Sequence, residues 1–409
     1  MDADDELAVF RSRFLIPADD NGNEILYLVG HSLGLQPVTT RSAVEEELAT
    51  WSELGVDGHF RGSRPWTRYH ETVGPPMAEI VGARTDEIIL MNALTVNLHL
   101  MMLTFYRPTR DRYKVVMEDH AFPSDRYAVA SQVQLHGFDP SEAVITVAPR
   151  SGEHTLRTED IVRTIKDAGN EVALVMFGGV NYYTGQYFDL PGIVAAAHEV
   201  GAVAGFDLAH AAGNVELRLH DWDVDFAVWC MYKYLNSGPG SLSGCFIHER
   251  QYTNRNLPRL AGWWGEDLDK RFEMAGEFQP AAGAAGWQIS NPNVLSLGAI
   301  RASLAIFMEA GPPNLREKQR RLTGFLEYLL RERLGEKVEI ITPADTNERG
   351  SQLSLYLQSG GREVYEQLRS HGIICDWRNP NVIRAAPVPL YNTYAEVWRF
   401  VDVLQRICP

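Results

Sequence analysis

The sequence predicts an α/β architecture: a large domain with a mostly parallel seven-stranded sheet flanked by helices, followed by a smaller α+β C-terminal domain. Three observations predict it. From about residue 75 to 250, short apolar runs alternate with helical stretches, the pattern of parallel strands joined by covering helices. Past residue 295 the order changes to two long helices and then strand–strand–helix–strand–helix. The chain also has 409 residues, enough for a large and a smaller domain at about 150 residues each as a loose guide.

The elements follow in order. Asp2 to Phe14 carries apolar residues at helical spacing (Leu7, Phe10, Phe14), and Ile25–Val29 is a strand-like run that ends in the turn Gly30-His-Ser-Leu-Gly34. Val38 to Leu54 predicts an amphipathic helix with an acidic face at Glu45–Glu47. Sheet strands are expected at Ile88–Met91, Lys114–Met117, Ala143–Val147, Ala173–Phe177, Ala202–Phe206, Phe226–Trp229 and Cys245–Ile247. Helices are expected at Val96–Phe105, Asp125–Leu135, Thr158–Asp167 and Leu190–Val200. Residues 252 to 292, rich in Gly, Ala and Trp with weak periodicity, predict an ordered, functional loop region. Helices Leu295–Met308 and Asn314–Leu334 come next. Then follow strands Val338–Ile341 and Gln352–Leu357, helix Arg362–His371, strand Val382–Ala385 and helix Ala395–Arg406. The division expected is 1–55 for an N-terminal segment packing with the small domain, 56–294 for the large domain and 295–409 for the small one.

Composition narrows the function. Lys+Arg is 38 and Asp+Glu is 53, a net charge of −15. That field repels nucleic acid and anionic membranes, while a local basic pocket for a small anion stays open. Cys230, Cys245, Cys375 and Cys408 have no paired spacing, and no CxxC or HExxH occurs, so no metal site is expected. Few scattered cysteines fit a reducing compartment. The acidic start lacks the apolar stretch of a signal peptide. No apolar run approaches the roughly 18 residues of a membrane span. A cytoplasmic protein with no nucleic-acid or membrane partner is expected.

Two strand ends carry the chemistry. In Phe206-Asp207-Leu-Ala-His210 an acid follows a buried-looking run, and in Trp229-Cys-Met-Tyr232-Lys233 a lysine follows another. Alone, Asp207 reads as a helix cap and Lys233 as a solvated strand end. Together they lie 26 positions apart (233 − 207) with one connection between them, and α/β sheets bind ligands just past such strand ends. A lysine and a carboxylate reaching one flat ligand are what pyridoxal phosphate needs. The amine attaches the cofactor, and the carboxylate keeps the pyridine nitrogen protonated. Thr95 in Asn92-Ala-Leu-Thr95 opens a helix after a strand, so its hydroxyl and the free N–H groups suit a phosphate. Phe122 is a candidate to stack on the ring, with core packing as the plainer alternative.

These strings resemble the kynureninase family of fold-type I pyridoxal-phosphate enzymes, whose architecture is aspartate-aminotransferase-like. The resemblance runs from Gly30-His-Ser-Leu-Gly-Leu-Gln-Pro37 to Ile383-Arg384-Ala-Ala-Pro-Val-Pro-Leu-Tyr-Asn392. It includes Gly213-Asn-Val-Glu-Leu217, Leu219-His-Asp-Trp222 and Ile289-Ser-Asn-Pro292, and looks most like the animal-type branch. It implies hydrolysis of L-kynurenine, or its 3-hydroxy form, to an anthranilate and L-alanine by a homodimer with shared sites. By the same resemblance Lys233 would hold the cofactor and move the substrate Cα proton. Asp207 would pair with the pyridine nitrogen, with His210 beside it. Leu94 and Thr95 would bind the phosphate, joined by Tyr232, which would also relay protons. Phe122 would stack on the ring and Asp125 would hold its polar edge. Trp263 and Asn291 would arrive from the neighbouring subunit. Arg384 would clamp the substrate carboxylate, a bidentate task that lysine does poorly. Ser32, His59 and Asn291 would line the aryl pocket. Because His59 and Asn291 suit a ring hydroxyl, 3-hydroxykynurenine is the expected preference.

Three positions depart from the family pattern: His31 in place of Asn, Gly178 in place of a cofactor-contacting Ser or Thr, and Trp264 in place of Phe. Gly178 removes one hydrogen bond on the phosphate side, and Trp264 reshapes the aryl pocket. Other classes fit less well. Gly30-His-Ser32-Leu-Gly34 matches the GxSxG of serine hydrolases, but too little chain precedes it for the usual oxyanion loop. A transaminase, a desulfurase or hydrolysis of a substituted kynurenine would use the same cofactor. A non-catalytic protein has no need for Asp207, Lys233 and Arg384 together.

Overall fold

The computed structural model describes residues 1–254, 256–274 and 276–409. Seven strands form the large sheet: β1 (Ile88–Met91), β2 (Lys114–Glu118), β3 (Val144–Val147), β4 (Val172–Gly178), β5 (Val203–Asp207), β6 (Phe226–Cys230) and β7 (Ser243–Ile247). Their spatial order is β1-β7-β6-β5-β4-β2-β3. Strands β3, β2, β4, β5 and β6 pair in parallel, while β7 is antiparallel to both neighbours. Both faces are covered, which explains the unbroken apolar runs such as the fully buried β6. Alternate residues feed two cores. Val116, Phe177, Phe206 and Trp229 point to one, and Val115, Met117, Leu174 and Val228 to the other.

Parallel pairing sends the carboxyl ends of β2, β4, β5 and β6 to one rim. Gly178 registers with Asp207, and Asp207 with Val228. The covering helices Leu94–Phe105, Pro123–Leu135, Thr158–Ala168 and Leu190–Glu199 start within two residues of expectation. A further helix, His70–Val81, escapes the sequence pattern because Pro75 and Pro76 lie inside it.

After helices Val294–Ala310 and Pro312–Leu334, the small sheet is antiparallel, in the order Val338–Ile340, Leu353–Leu357, Val382–Ala385, Asp376–Arg378. Helices Gly361–Ser370 and Tyr394–Ile407 complete it. Three of these strands are expected from sequence. The fourth, Asp376–Arg378, is a half-buried edge strand with two charges and no apolar run.

The N-terminus departs from expectation. Asp2 to Phe14 forms two 3₁₀ turns, Asp2–Asp4 and Ala8–Arg13, and Phe14–Leu15 turns into a strand pair with Gln36–Pro37. The expected Ile25–Val29 strand shortens to Leu26–Tyr27, which pairs in parallel with Ile373–Ile374. The segment is tied to the small sheet's helices. The Asp2 carboxylate accepts the Tyr394 and Ala395 N–H groups at 2.7 and 2.9 Å, and Asp5 pairs with Lys318 at 2.7 Å, both buried. Helix Thr40–Leu54 packs on Val294–Ala310. Among the described residues no single helix is long and apolar enough to cross a membrane.

Candidate active site

A cavity of ≈ 90 Å³ opens at the sheet rim, and Leu94, Thr95, Phe122, Asp125, Asp207, His210, Tyr232 and Lys233 all line it. The two groups chosen from sequence therefore share one space. Lys233 follows β6, and its Nζ stands 5.8 Å from the centre of the Phe122 ring. Phe122 is not core: it is 43% exposed and meets Tyr182 edge-on at 5.2 Å.

Asp207 ends β5 and accepts the Ala209 N–H at 2.7 Å. Asp125, in the first turn of helix Pro123–Leu135, hydrogen-bonds to it. Burial raises both carboxyls; the charges of Asp207 and Glu118 raise Asp125 further, and Lys233 pulls Asp207 down. Two adjacent buried carboxyls cannot both ionise, so Asp125 keeps the proton and donates it to an ionised Asp207. His210 is buried, and burial with the charges of Lys233 and Arg384 holds it neutral.

At the opposite end, the Thr95 and Ser124 hydroxyls meet at 2.8 Å. Each sits at the second position of its helix, so two helix N-termini face one spot, a ready-made anion site. Tyr232 is half-buried near Cys230; burial, with the Cys230 thiol, raises its phenol, which stays a donor.

Arg384 reaches the site from the small sheet. It is buried, with one terminal nitrogen donating to the Tyr182 carbonyl at 2.6 Å and the other paired to Asp376. The freely bidentate clamp expected from sequence is thus partly engaged, and Nε is the donor left without a partner. His31 lies fully buried behind it, Nε2 3.4 Å from Asp376, and burial with the Arg384 charge lowers its pKa to about 3.

Five expected substrate or cofactor residues do not line this cavity: Arg384, which stands behind Tyr182, and four that lie farther out. Ser32 and Asn291 are exposed, Trp263 is 43% exposed, and His59 packs edge-on against Trp66 at 5.1 Å. Trp264 is buried under the Arg271 guanidinium, 4.5 Å above its ring, with His59 6.2 Å away. Conversely, sequence reasoning missed Glu118, Ser124, Tyr182 and Asp376. Ser124 lay in plain view, between Phe122 and Asp125. At Gly178 the missing hydroxyl has a physical reason. A Cβ there would come within 3.0 Å of the Glu118 carboxylate.

The residues present fit pyridoxal phosphate. A lysine and an ionised carboxylate face one cavity, and a cradle of two helix ends waits for the phosphate. Buried Asp125 Oδ1, His210 Nδ1 and Arg384 Nε lack partners among the described residues, as a site built for a polar ligand should show.

Comparison with known proteins agrees. Residues 315–404 match the Kynureninase C-terminal domain model. Solved structures with the same fold include a cysteine desulfurase from Thermococcus onnurineus NA1 (TM-score 0.78, 18% identity, 94% of each chain). Another is the cystine C-S lyase C-DES with its cysteine persulfide product (TM-score 0.78, 16% identity, 94% of this chain and 98% of that one). In sequence, the chain is 54% identical over 406 residues to the kynureninase of Myxococcus xanthus (strain DK1622), covering 99% of this chain and 95% of the relative. It is 53% identical over 402 residues to that of Koribacter versatilis (strain Ellin345), covering 98% and 95%. These relatives are bacterial, so the animal-type branch expected from the strings finds no support in them. At such identity over nearly the whole length of both partners, the chain belongs to the kynureninase family.

Proposed function

We propose that Lys233, Asp207 and Arg384 carry the hydrolytic Cβ–Cγ cleavage of a kynurenine to an anthranilate and L-alanine. The observation that carries this assignment of roles is the single cavity shared by Lys233 and Asp207. Bound pyridoxal phosphate supplies an electron sink at the substrate Cα. The chain supplies the rest. Lys233 would take the Cα proton, its Nζ standing 5.8 Å from the centre of the Phe122 ring. Ionised Asp207 holds the pyridine nitrogen protonated, and neutral Asp125 fixes Asp207 by donating to it. Thr95, Ser124 and the N–H groups of their helices bind the phosphate. Arg384 meets the substrate carboxylate through Nε, while Asp376 fixes the guanidinium plane. The phenol of Tyr232, kept protonated by burial, gives and retrieves the proton as water adds to the aryl ketone.

The aryl end is completed by a second copy. Trp263, Phe272 and Phe60 form an exposed aromatic cluster, with ring centres 5.4 Å apart for Trp263–Phe272 and 5.1 Å for Phe60–Phe272. His59 lies beside this cluster, 6.2 Å from the Phe60 ring, and with the exposed Ser32 and Asn291 it would read the ring substituent, which favours 3-hydroxykynurenine. The four cysteines are free and buried, in keeping with a reducing compartment.

The test is an assay of the purified enzyme on kynurenine and on 3-hydroxykynurenine, with alanine, keto acid and sulfide release followed separately. Alanine release is expected from both, with the higher kcat/KM for the hydroxylated substrate. Release of keto acid or sulfide without alanine overturns the reaction, and a lower kcat/KM for the hydroxylated substrate overturns the ring preference.

A further inference from the structure

One buried acid has no part in the mechanism above. Glu118 ends β2 on the same rim as Asp207, is 3% exposed, and lines the cofactor cavity. Both its oxygens accept the Gly178 N–H, at 3.1 and 3.3 Å. It also lines a second, small space of ≈ 10 Å³, walled by His120, His154, Asn181, Thr184, Gln186 and others. Among the described residues, Glu118 is the one shared by both. That small space has room for about one water, and its polar wall suits one. His154, Leu156, Gln186 and Phe188 in turn border an open groove of ≈ 770 Å³ between the large sheet's helices and the small sheet. The wall is held in place. Gln186 bonds both backbone groups of Leu156, at 2.8 and 2.6 Å, and Asn181 donates to the His120 carbonyl at 3.2 Å.

We propose that Glu118 relays protons between the cofactor cavity and solvent through the back of the site, by way of a single water and the groove. The inference rests on the cofactor assignment above. Asp207 would hold the ring nitrogen of bound pyridoxal phosphate protonated, and that proton has to be supplied. Glu118 releases its carboxyl proton toward the Asp125–Asp207 pair and regains one from the water behind it, which is recharged from the groove. Only protons move, and the acid ends as it began. The charged and titratable groups lining the two spaces with it are Asp125, Asp207, His210, Lys233, Tyr182, Tyr232 and Cys230 on the cofactor side and His120 and His154 on the groove side. Burial, with the Asp207 charge, raises the Glu118 carboxyl to about 7, where an acid exchanges protons best near neutrality. Gly178 keeps the carboxyl in place, since a Cβ there would crowd Oε1 at 3.0 Å.

The experiment mixes cofactor-free protein with pyridoxal phosphate in weak buffer containing a pH indicator. It follows the visible cofactor band and the proton change together. In the parent the two are expected to keep pace. In Glu118→Gln the band should form to the parent amplitude while the proton change lags by roughly tenfold or more. Gly178→Ala, which displaces the carboxyl without removing it, should lag as well, and it decides the matter if Glu118→Gln does not fold. Glu118→Asp should recover part of the rate. Proton exchange in step with the band in both variants overturns the relay and leaves the cofactor assignment standing. A parent without any visible band overturns the cofactor assignment itself.

Discussion

At the rim of the large sheet, Glu118, Asp125, Asp207 and Lys233 converge from four separate elements on one buried cavity. On the loop face, Phe60, Trp263 and Phe272 are 54%, 43% and 43% exposed, and His59 and Asn291 do not line the cavity that holds Lys233. The first wall is finished inside one chain, and the second is left open. On the proposed roles, the difference follows from what each must recognise. Charges at fixed separation need rigid strand ends, because a misplaced buried charge is costly. A flat aryl group needs shape and apolar area, which loops and a second subunit supply as well.

The largest expected effect tests whether the closed wall is where the chemistry happens. Lys233→Ala should lose the visible cofactor band, leave pyridoxal phosphate bound without a covalent link, and reduce kcat by roughly 10²–10⁴-fold or more. Absorbance before and after borohydride checks it. A surviving, borohydride-sensitive band would mean another amine does the work.

Next comes the arm that joins the small sheet to that wall. Asp376→Ala leaves the Arg384 guanidinium buried without its carboxylate. Removing one partner of such a pair costs about 3–5 kcal/mol, readable in a denaturant titration. Arg384→Lys keeps the charge but not the planar fork, so it should raise KM strongly and restore neither KM nor kcat to the parent value. Full activity in Arg384→Lys would remove Arg384 from carboxylate binding.

A third effect is set by pH. In the cofactor-free protein the Glu118 carboxyl sits raised from 4.5 to about 7. Between those values the folded chain holds a proton that the unfolded chain has released. Stability from this group is therefore complete below about pH 4.5 and is lost as pH rises toward 7, by roughly 3 kcal/mol. Melting of cofactor-free protein across this window should show the fall, and Glu118→Gln should flatten it. An identical pH slope in the variant would place the titration elsewhere.

The same contrast explains what the sequence made legible. Each of the seven strands is a local apolar run, and Asp207 and Lys233 stand where such runs end, so the wall they share could be read from short strings. Glu118 could not. It is followed by Asp119, and nothing local says that Glu118 turns inward at 3% exposure while the Asp119 side chain is 42% exposed. The Asp376–Arg378 strand was hidden for a related reason. An edge strand carrying Asp and Arg has no apolar signature, so the partner of Arg384 emerges only from the sheet pairing Asp376↔Arg384. The reach of Trp263 and Asn291 into a neighbouring site was stated from resemblance alone, because a contact between copies would leave no periodicity in one chain.

That open wall gives the smallest effect, and it separates two adjacent tryptophans. Trp263 donates its ring N–H to the Arg271 carbonyl at 2.9 Å and otherwise faces outward, while Trp264 is buried beneath the Arg271 guanidinium. If a second copy completes the aryl pocket, Trp263→Ala should weaken self-association by about 1–2 kcal/mol, the usual scale of an interface aromatic. Activity per site should then fall on dilution, and sedimentation should show more monomer at the same concentration. Trp264→Phe acts on its own chain's packing, so it should lower melting temperature and alter KM near His59 while leaving the dilution curve unchanged. If both variants dilute like the parent, the wall that looks open is closed by this chain alone, and the aryl ring must be read by residues on the Arg384 side.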